Sequence, residues 1–282
     1  MTYNPNPSVR SRQVANQLRE LREQARLSGA EVAKLLGMSP SKISRIETGN
    51  RMLSVDIVAA LLGLYKVPER MREQILDQVR KADERGWWES RGLGLPELWS
   101  ALINFENRAT RIQNYEAMVV PGLLQTPEYT GVMIKGVNKA MTEAELNNLV
   151  ASRMARQAVL RRSGLQFLAV VDEDVLRRPI AERGVMRRQL RQLVDYSERP
   201  NITVRVVPLQ EGMHVGVRGS FAVMDFVDEP SLVFFENQHV GMFLDEKEDI
   251  AAHRVALSNI LSVALEPAAS AELISAVASD TD

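Results

Sequence analysis

The sequence predicts an α+β chain: an N-terminal bundle of five helices, followed by a mixed α/β body with a small sheet. Three observations carry this. Apolar residues recur at helical spacing through the first eighty or so positions. After Gly164 the spacing alternates between a period of two and helical spacing. Charge divides the chain where the first helical stretch ends: residues 1–85 hold 15 Lys+Arg against 10 Asp+Glu (+5), and the remainder holds 20 against 26 (−6), which sum to the net −1 of the whole. A basic head attracts phosphate, and an acidic body repels it.

The bounds agree. A length of 282 residues suits two ordinary domains, and 45% apolar residues argue against wholesale disorder. With no cysteine, disulfides, thiolate zinc sites and cysteine nucleophiles are excluded. No apolar run reaches the ~18 residues of a membrane span, and the N-terminus has no apolar signal-peptide core. A cytoplasmic protein that does not engage a membrane is the expectation. The expected units are a head at 1–82, a connector at 83–96 and a body at 97–282.

Residues 1–8 carry Pro5 and Pro7 and read as a loose arm. Val14, Leu18 and Leu21 give a first helix over about Val9–Arg26. Ser28 followed by Glu31 is a capping-box pattern that opens the second helix. Gly37 falls where a turn wants positive φ. Ser39 caps the third helix, and Pro40 at its first position forfeits no hydrogen bond. Ala33 is small where two helices cross, and Val32, Leu36, Ile43 and Ile46 supply an apolar lock. These features predict a helix-turn-helix over residues 29–48. Gly49, Asn50 and Arg51 form a stop. A fourth helix carries Val55, Val58, Leu61 and Leu62 behind Ser54 as cap. Pro68 opens a fifth, with Met71, Ile75 and Val79 inward.

Trp87 and Trp88, with Gly92, Gly94 and Pro96, mark the connector; the tryptophans read as a docking point between units, with base stacking as the alternative. A helix is expected from Leu98 to about Tyr115. A bend follows at Val120–Pro127, with Leu123 and Leu124 plugging a core or lining a pocket. Thr126 caps a further helix, and another spans Thr142–Arg162. Leu165–Val171, a helix over Glu182–Ser197 and Ile202–Val207 suggest a parallel crossover pair. Phe221–Phe226 and Leu232–Phe235 suggest a hairpin. Helices over Lys247–Leu265 and Ser270–Ala278 finish the chain.

A helix of about ten residues fits the major groove of double-stranded DNA. On the outward face stand Pro40, Ser41, Lys42 and Arg45. The Arg45 guanidinium can bond guanine O6 and N7 together, Lys42 can read guanine or hold a phosphate, and Ser41 fine-tunes. Asn50, Arg51 and the amides near Ala30 are placed against the sugar–phosphate backbone.

The segment Ser39–Arg51, SPSKISRIETGNR, resembles the repressor-type helix-turn-helix of xenobiotic-response-element regulators and lambdoid phage repressors over about residues 9–70. The resemblance implies that Arg22 pairs with Glu47 as a structural clamp. Many relatives carry glutamine early in the recognition helix where this chain has Pro40 and Ser41, so known operators do not transfer. A second resemblance rests on Phe105–Ala109, Tyr115-Glu116, Val120–Tyr129, Arg153, Arg156-Gln157, Val171–Glu173, Pro200–Val204, Pro208, Gly219–Phe221 and Glu236. It is similar to an actinobacterial, antitoxin-like C-terminal domain long regarded as of unknown function. It implies a two-part regulator, with a small protein encoded nearby as partner.

Arg153, Arg156 and Gln157 share a helical face, where they could pair with Glu106 or Glu173 or bind an anion. His214 follows a strand–helix–strand unit in loose analogy to half of a phospholipase-D-like fold. That chemistry needs a lysine two residues on, and Gly216 stands there, so any such fold is expected to be non-catalytic. His239 and His253 have no metal-ligand spacing with His214. The expectation is therefore a DNA-binding, dimeric transcriptional regulator, not an enzyme, with no metal and no cofactor. Its body would receive a signal from a small protein or a small molecule, or act as an antitoxin.

Overall fold

In the computed structural model, the described residues are 9–49, 53–80, 88–91, 96–137, 139–236 and 240–281. The head consists of α1 (Val9–Gln24), α2 (Gly29–Leu35), α3 (Pro40–Glu47), α4 (Val55–Leu64) and α5 (Glu69–Arg80). Val14, Leu18, Val32, Ile43, Ile46, Val58 and Ile75 form its core, with Leu21 and Leu36 packed at the margin. Ala33 is buried at the α2–α3 crossing, as its size requires. Two local expectations change. Met71 stands exposed, since the first turn of α5 faces outward and only Ile75 and Val79 point in. Ser54 occupies the cap position of α4, but its side chain makes no capping bond.

The body is built on a seven-stranded sheet of β1 (Trp88–Arg91), β2 (Arg111–Glu116), β3 (Gln166–Asp172), β4 (Ile202–Val207), β5 (Phe221–Asp225), β6 (Leu232–Glu236) and β7 (Val240–Leu244). The order is β1-β7-β6-β5-β2-β3-β4. β2, β3 and β4 run parallel, and the remaining pairs are antiparallel. The helices are α6 (Pro96–Arg108), α7 (Pro127–Val137), α8 (Glu143–Arg156), α9 (Glu173–Arg177), α10 (Val185–Ser197), α11 (Lys247–Val263) and α12 (Pro267–Asp280). The α+β class and the crossover pair and hairpin follow the sequence patterns.

Several boundaries do not. The helix expected to run from Leu98 to Tyr115 ends at Arg108, and Arg111–Glu116 becomes the strand joining the parallel and antiparallel halves. The connector contains β1, which pairs with β7 at the sheet edge. Trp88 enters that strand, whereas Trp87 lies outside the described residues. α8 stops at Arg156 and tightens into a 3-10 turn over Gln157–Arg161. α10 starts at Val185, three residues late, because Gly184 takes a left-handed φ of 70°.

Both faces of the sheet are buried. Phe105, Phe167, Leu190 and Phe243 belong to the larger core on one side, and Tyr115, Val170, Leu257 and Ile260 to the core on the other. Each such side chain contributes roughly 1.5–3 kcal/mol on burial. Gly241 in β7 is required by packing: a Cβ there would collide with the Leu98 side chain of α6. Among the described residues no single helix is long and apolar enough to cross a membrane; α11 and α12 pass only as a pair bent by 69°.

The head is tied to the body through α1. Arg12 is 1% exposed, its Nη1 donates to the Pro230 carbonyl at 2.6 Å, and its guanidinium lies 5.6 Å from the Phe105 ring and 5.9 Å from that of Phe226. Arg108 of α6 covers the same Phe105 ring and pairs with Glu229 at 2.6 Å. Burial pulls the Arg12 guanidinium below its ordinary value, with Asp245 and Glu229 opposing that shift.

Candidate nucleic-acid interface

The geometry of α2 and α3 is fixed by their ends. Ser28 Oγ accepts from the Glu31 amide at 3.2 Å, and the Glu31 carboxylate accepts from the Ser28 amide at 2.8 Å, which completes the capping box. The Ser28 amide and the Ser28 hydroxyl, which donates to the same carboxylate at 2.7 Å, hold Glu31 below its usual range. Gly37 turns the chain at φ 62°. Ser39 Oγ accepts from the Lys42 amide at 3.2 Å, with Pro40 in the first turn. Ile43 and Ile46 then face the core, leaving the opposite face of α3 to solvent.

That outward face carries Pro40, Ser41, Ser44 and Arg45, all exposed, with Lys42 half-buried beside them. Arg45 Nε donates to the Ser41 carbonyl at 3.3 Å, a bond that uses neither terminal nitrogen. Its flat guanidinium therefore lies along α3 with its two-pronged edge available to an acceptor pair such as guanine O6 and N7. Ser44 was not among the expected readers, although the same helical arithmetic that selects Ser41 and Arg45 places it on that face. Ala30 is exposed at the start of α2, where the Glu31 carboxylate of the capping box stands beside the amides offered to phosphate. Asn50 and Arg51 lie outside the described residues.

Behind α3, Arg22 Nε and Nη2 donate to Glu47 Oε1 and Oε2 at 2.8 and 2.9 Å, and Nη1 donates to the Leu27 carbonyl at 2.8 Å. Both side chains are largely buried, at 13% and 7% exposure. This bidentate pair ties α1 to the end of α3 and keeps Glu47 off the groove-facing side. Burial, reinforced by the Glu47 charge, pushes the neighbouring Tyr65 phenol up.

In the body, Arg156 lies 3.1 Å from Glu106, one of its two expected partners. Glu173 is used elsewhere, pairing with Arg177 at 2.7 Å and accepting from the Leu209 amide at 2.9 Å. Gln157 donates to the Gln125 carbonyl at 2.7 Å and so fastens the Val120–Pro127 bend, whose Leu123 and Leu124 are buried. Thr126 Oγ1 accepts from the Tyr129 amide at 3.1 Å, capping α7. Arg153 lies over Trp99, 4.7 Å from the ring centre. His214 is apart from these residues: Nδ1 accepts from the Gly216 amide at 3.2 Å, and Nε2 sits 3.4 Å from Asp172. His253 Nδ1 contacts the Asp249 carbonyl, and His239 lies outside the described residues.

A capped two-helix unit, locked from behind by an ion pair and presenting an arginine on its free face, defines a DNA-binding helix-turn-helix regulator. Residues 13–75 match the helix-turn-helix domain family. Residues 99–276 match the domain of unknown function DUF5753, and the chain belongs to that family. No curated protein matches the chain. Among solved structures, it resembles TrmBL2, an archaeal chromatin protein described as showing a novel mode of DNA binding. The two are 10% identical over 85% of this chain and 88% of that one, with a TM-score of 0.31.

Proposed function

We propose that the protein is a sequence-specific transcriptional regulator of the xenobiotic-response-element type that binds a two-fold site as a homodimer and whose body receives a signal. The observation that carries the reading is Arg45, exposed with Ser41 and Ser44 on a helix that the Ser39 cap and the Arg22–Glu47 pair hold rigid. One head buries too little surface for tight, selective binding, which favours a dimer on a symmetric operator. No catalytic role is proposed. His214 is engaged by Asp172 and Gly216, and no lysine stands two residues on.

Genome-wide binding of the tagged chain beside Arg45→Ala tests this. The expected outcome is discrete peaks with a shared inverted repeat, weakened by about 1–3 kcal/mol and relaxed at one base position in the variant. Peaks unchanged by the substitution would turn the head into a protein-binding module. The family resemblance supports a small, neighbour-encoded protein as the input, with neutralisation of a toxic neighbour as the alternative. Co-purification from the native host tests the first, and relief of neighbour toxicity tests the second. A small-molecule input is the second reading, favoured by the recess that holds Arg153 and Arg156.

A further inference from the structure

We propose that the recess between α6, α8 and the sheet is a binding site for a small amphipathic monocarboxylic acid, held at its carboxylate by Arg153 and Arg156. The proposal deepens the reading of the body as the input domain and rests on that reading for its effect on DNA.

The recess has a volume of about 200 Å³. At a water molecule's share of ~30 Å³, this is the room of about seven waters, the scale of a small organic acid. Its apolar lining includes Leu102, Ile112, Leu123, Phe167, Met224 and Phe234, which suits an aryl or branched alkyl body. Its polar wall is unusual. Arg153 and Arg156 stack side by side on one indole, 4.7 and 5.1 Å from the Trp99 ring. Arg156 is 8% exposed, and its Nε and Nη1 are buried with no hydrogen-bond partner. Glu106 lies 3.1 Å from that Nε, yet its Oε2 is also left without a hydrogen bond. Arg153 Nη1 lies 3.9 Å from the Met133 sulfur, and the Glu236 charge also acts on this guanidinium. Burial and the neighbouring Arg156 pull the Arg153 guanidinium down to about 10. Two guanidinium groups side by side at the end of an apolar recess, one of them with buried donors that make no hydrogen bond, call for a two-oxygen acceptor.

A Cβ at Gly122 would stand 2.6 Å from Arg156 Nη2, so the glycine of the bend leaves the guanidinium room where it lies.

Charge counts against a dianion. Glu106 of α6, Glu116 of β2 and Glu236 of β6 face Arg153 and Arg156 of α8 in the same recess, a formal balance of three carboxylates against two cations. A dianion such as phosphate would be repelled. Adding one more carboxylate is tolerable because Glu106 and Glu116 are each pushed up to about 7 by burial, so one of them can take a proton as the ligand enters. Asn114, at 3.3 Å from Glu116, and Ser220 hydrogen-bond its carboxylate and oppose that rise. Affinity for the acid therefore increases as pH falls from 8 to 6.

The test is titration calorimetry on the full chain with phenylacetate and 4-methylpentanoate, beside phenylacetamide and phenethylamine as neutral and cationic controls. Saturable binding of an acid, about tenfold weaker at pH 8 than at pH 6 and about tenfold weaker in Arg153→Gln, is expected. Among the described residues Arg153 makes no ion pair, so Arg153→Gln loses its place over Trp99 but strands no salt-bridged partner, and a cooperative melting transition shows that the variant is folded; Arg153→Lys restores part of the affinity. Preference for the amine, acid binding that ignores Arg153→Gln, or no saturable acid binding overturns the proposal. DNA binding is measured in parallel. Acid binding without effect on DNA sinks the input reading and leaves the site; absent acid binding with intact Arg45-dependent DNA binding sinks the site and leaves the regulator.

Discussion

Two of the largely buried arginine–glutamate pairs in this molecule are built differently. In the head, Arg22 and Glu47 meet through two parallel hydrogen bonds of 2.8 and 2.9 Å, and the remaining guanidinium nitrogen reaches a backbone carbonyl. In the body, Arg156 and Glu106 approach to 3.1 Å without an aligned hydrogen bond, and atoms on both sides stay unmatched. A charge taken from water is repaid only when its bonds are made. The head pair meets that condition and holds two helices in register. The body pair does not, and both of its residues line a cavity.

Breaking the head pair should have the largest effect. Arg22→Met or Glu47→Gln strands a buried partner and is expected to cost about 3–5 kcal/mol, read as loss of amide protection over residues 13–75 while the sheet stays protected. A cost near zero would remove the distinction between the pairs.

The second test uses pH. Glu106 is raised from its ordinary value to about 7 by burial, against the opposing charge of Arg156. Between the unfolded and folded values the native state holds the extra proton, so stability is full at low pH and falls as pH rises through about 7. Denaturation at pH 5 and pH 8 should differ by on the order of 1–3 kcal/mol from this group, and Glu106→Gln should flatten that slope. Glu116 acts in the same direction, so part of the slope persists. A variant whose slope equals that of the parent would refute the assignment.

Arg12→Met sharpens the comparison at the contact between the two regions. It removes the Pro230 bond and the placement over Phe105 and Phe226, for about 1–2 kcal/mol, and should widen or split a single thermal transition seen by calorimetry. The smallest effect is expected at Ser39→Ala, which frees the Lys42 amide for about 1 kcal/mol and lowers DNA affinity through fraying of α3.

The head was legible because its signals are local: caps at Ser28 and Ser39, positive φ at Gly37 and small size at Ala33 act within one or two turns. The clamp was legible only through family likeness, since Arg22 and Glu47 are 25 positions apart. The body hid its central strand. In β2, Gln113 and Tyr115 are buried although polar, because both faces of the sheet are covered, and no clean alternation marks the segment. In β7, Gly241 interrupts the pattern for the sake of Leu98 of α6. With β2 read as the end of a helix, Glu116 could not be placed beside Arg156, and Trp99 gave no sign of the two guanidinium groups it supports. Gly122 was visible as a bend former, but its second role depends on a side chain 34 residues away and has no local trace.

Phe105 and Glu106 are consecutive residues of one helix. The ring of the first lies beneath Arg12 of the head, and the carboxylate of the second faces Arg156 in the recess. Any rotation of that turn is shared by both neighbours, and thermodynamic reciprocity makes the sharing symmetric. By whatever factor an occupant of the recess changes affinity for DNA, DNA changes affinity for the occupant by the same factor. If the recess takes the proposed acid and its occupancy alters DNA binding, a copy seated on DNA and a copy free in solution would respond at different acid concentrations.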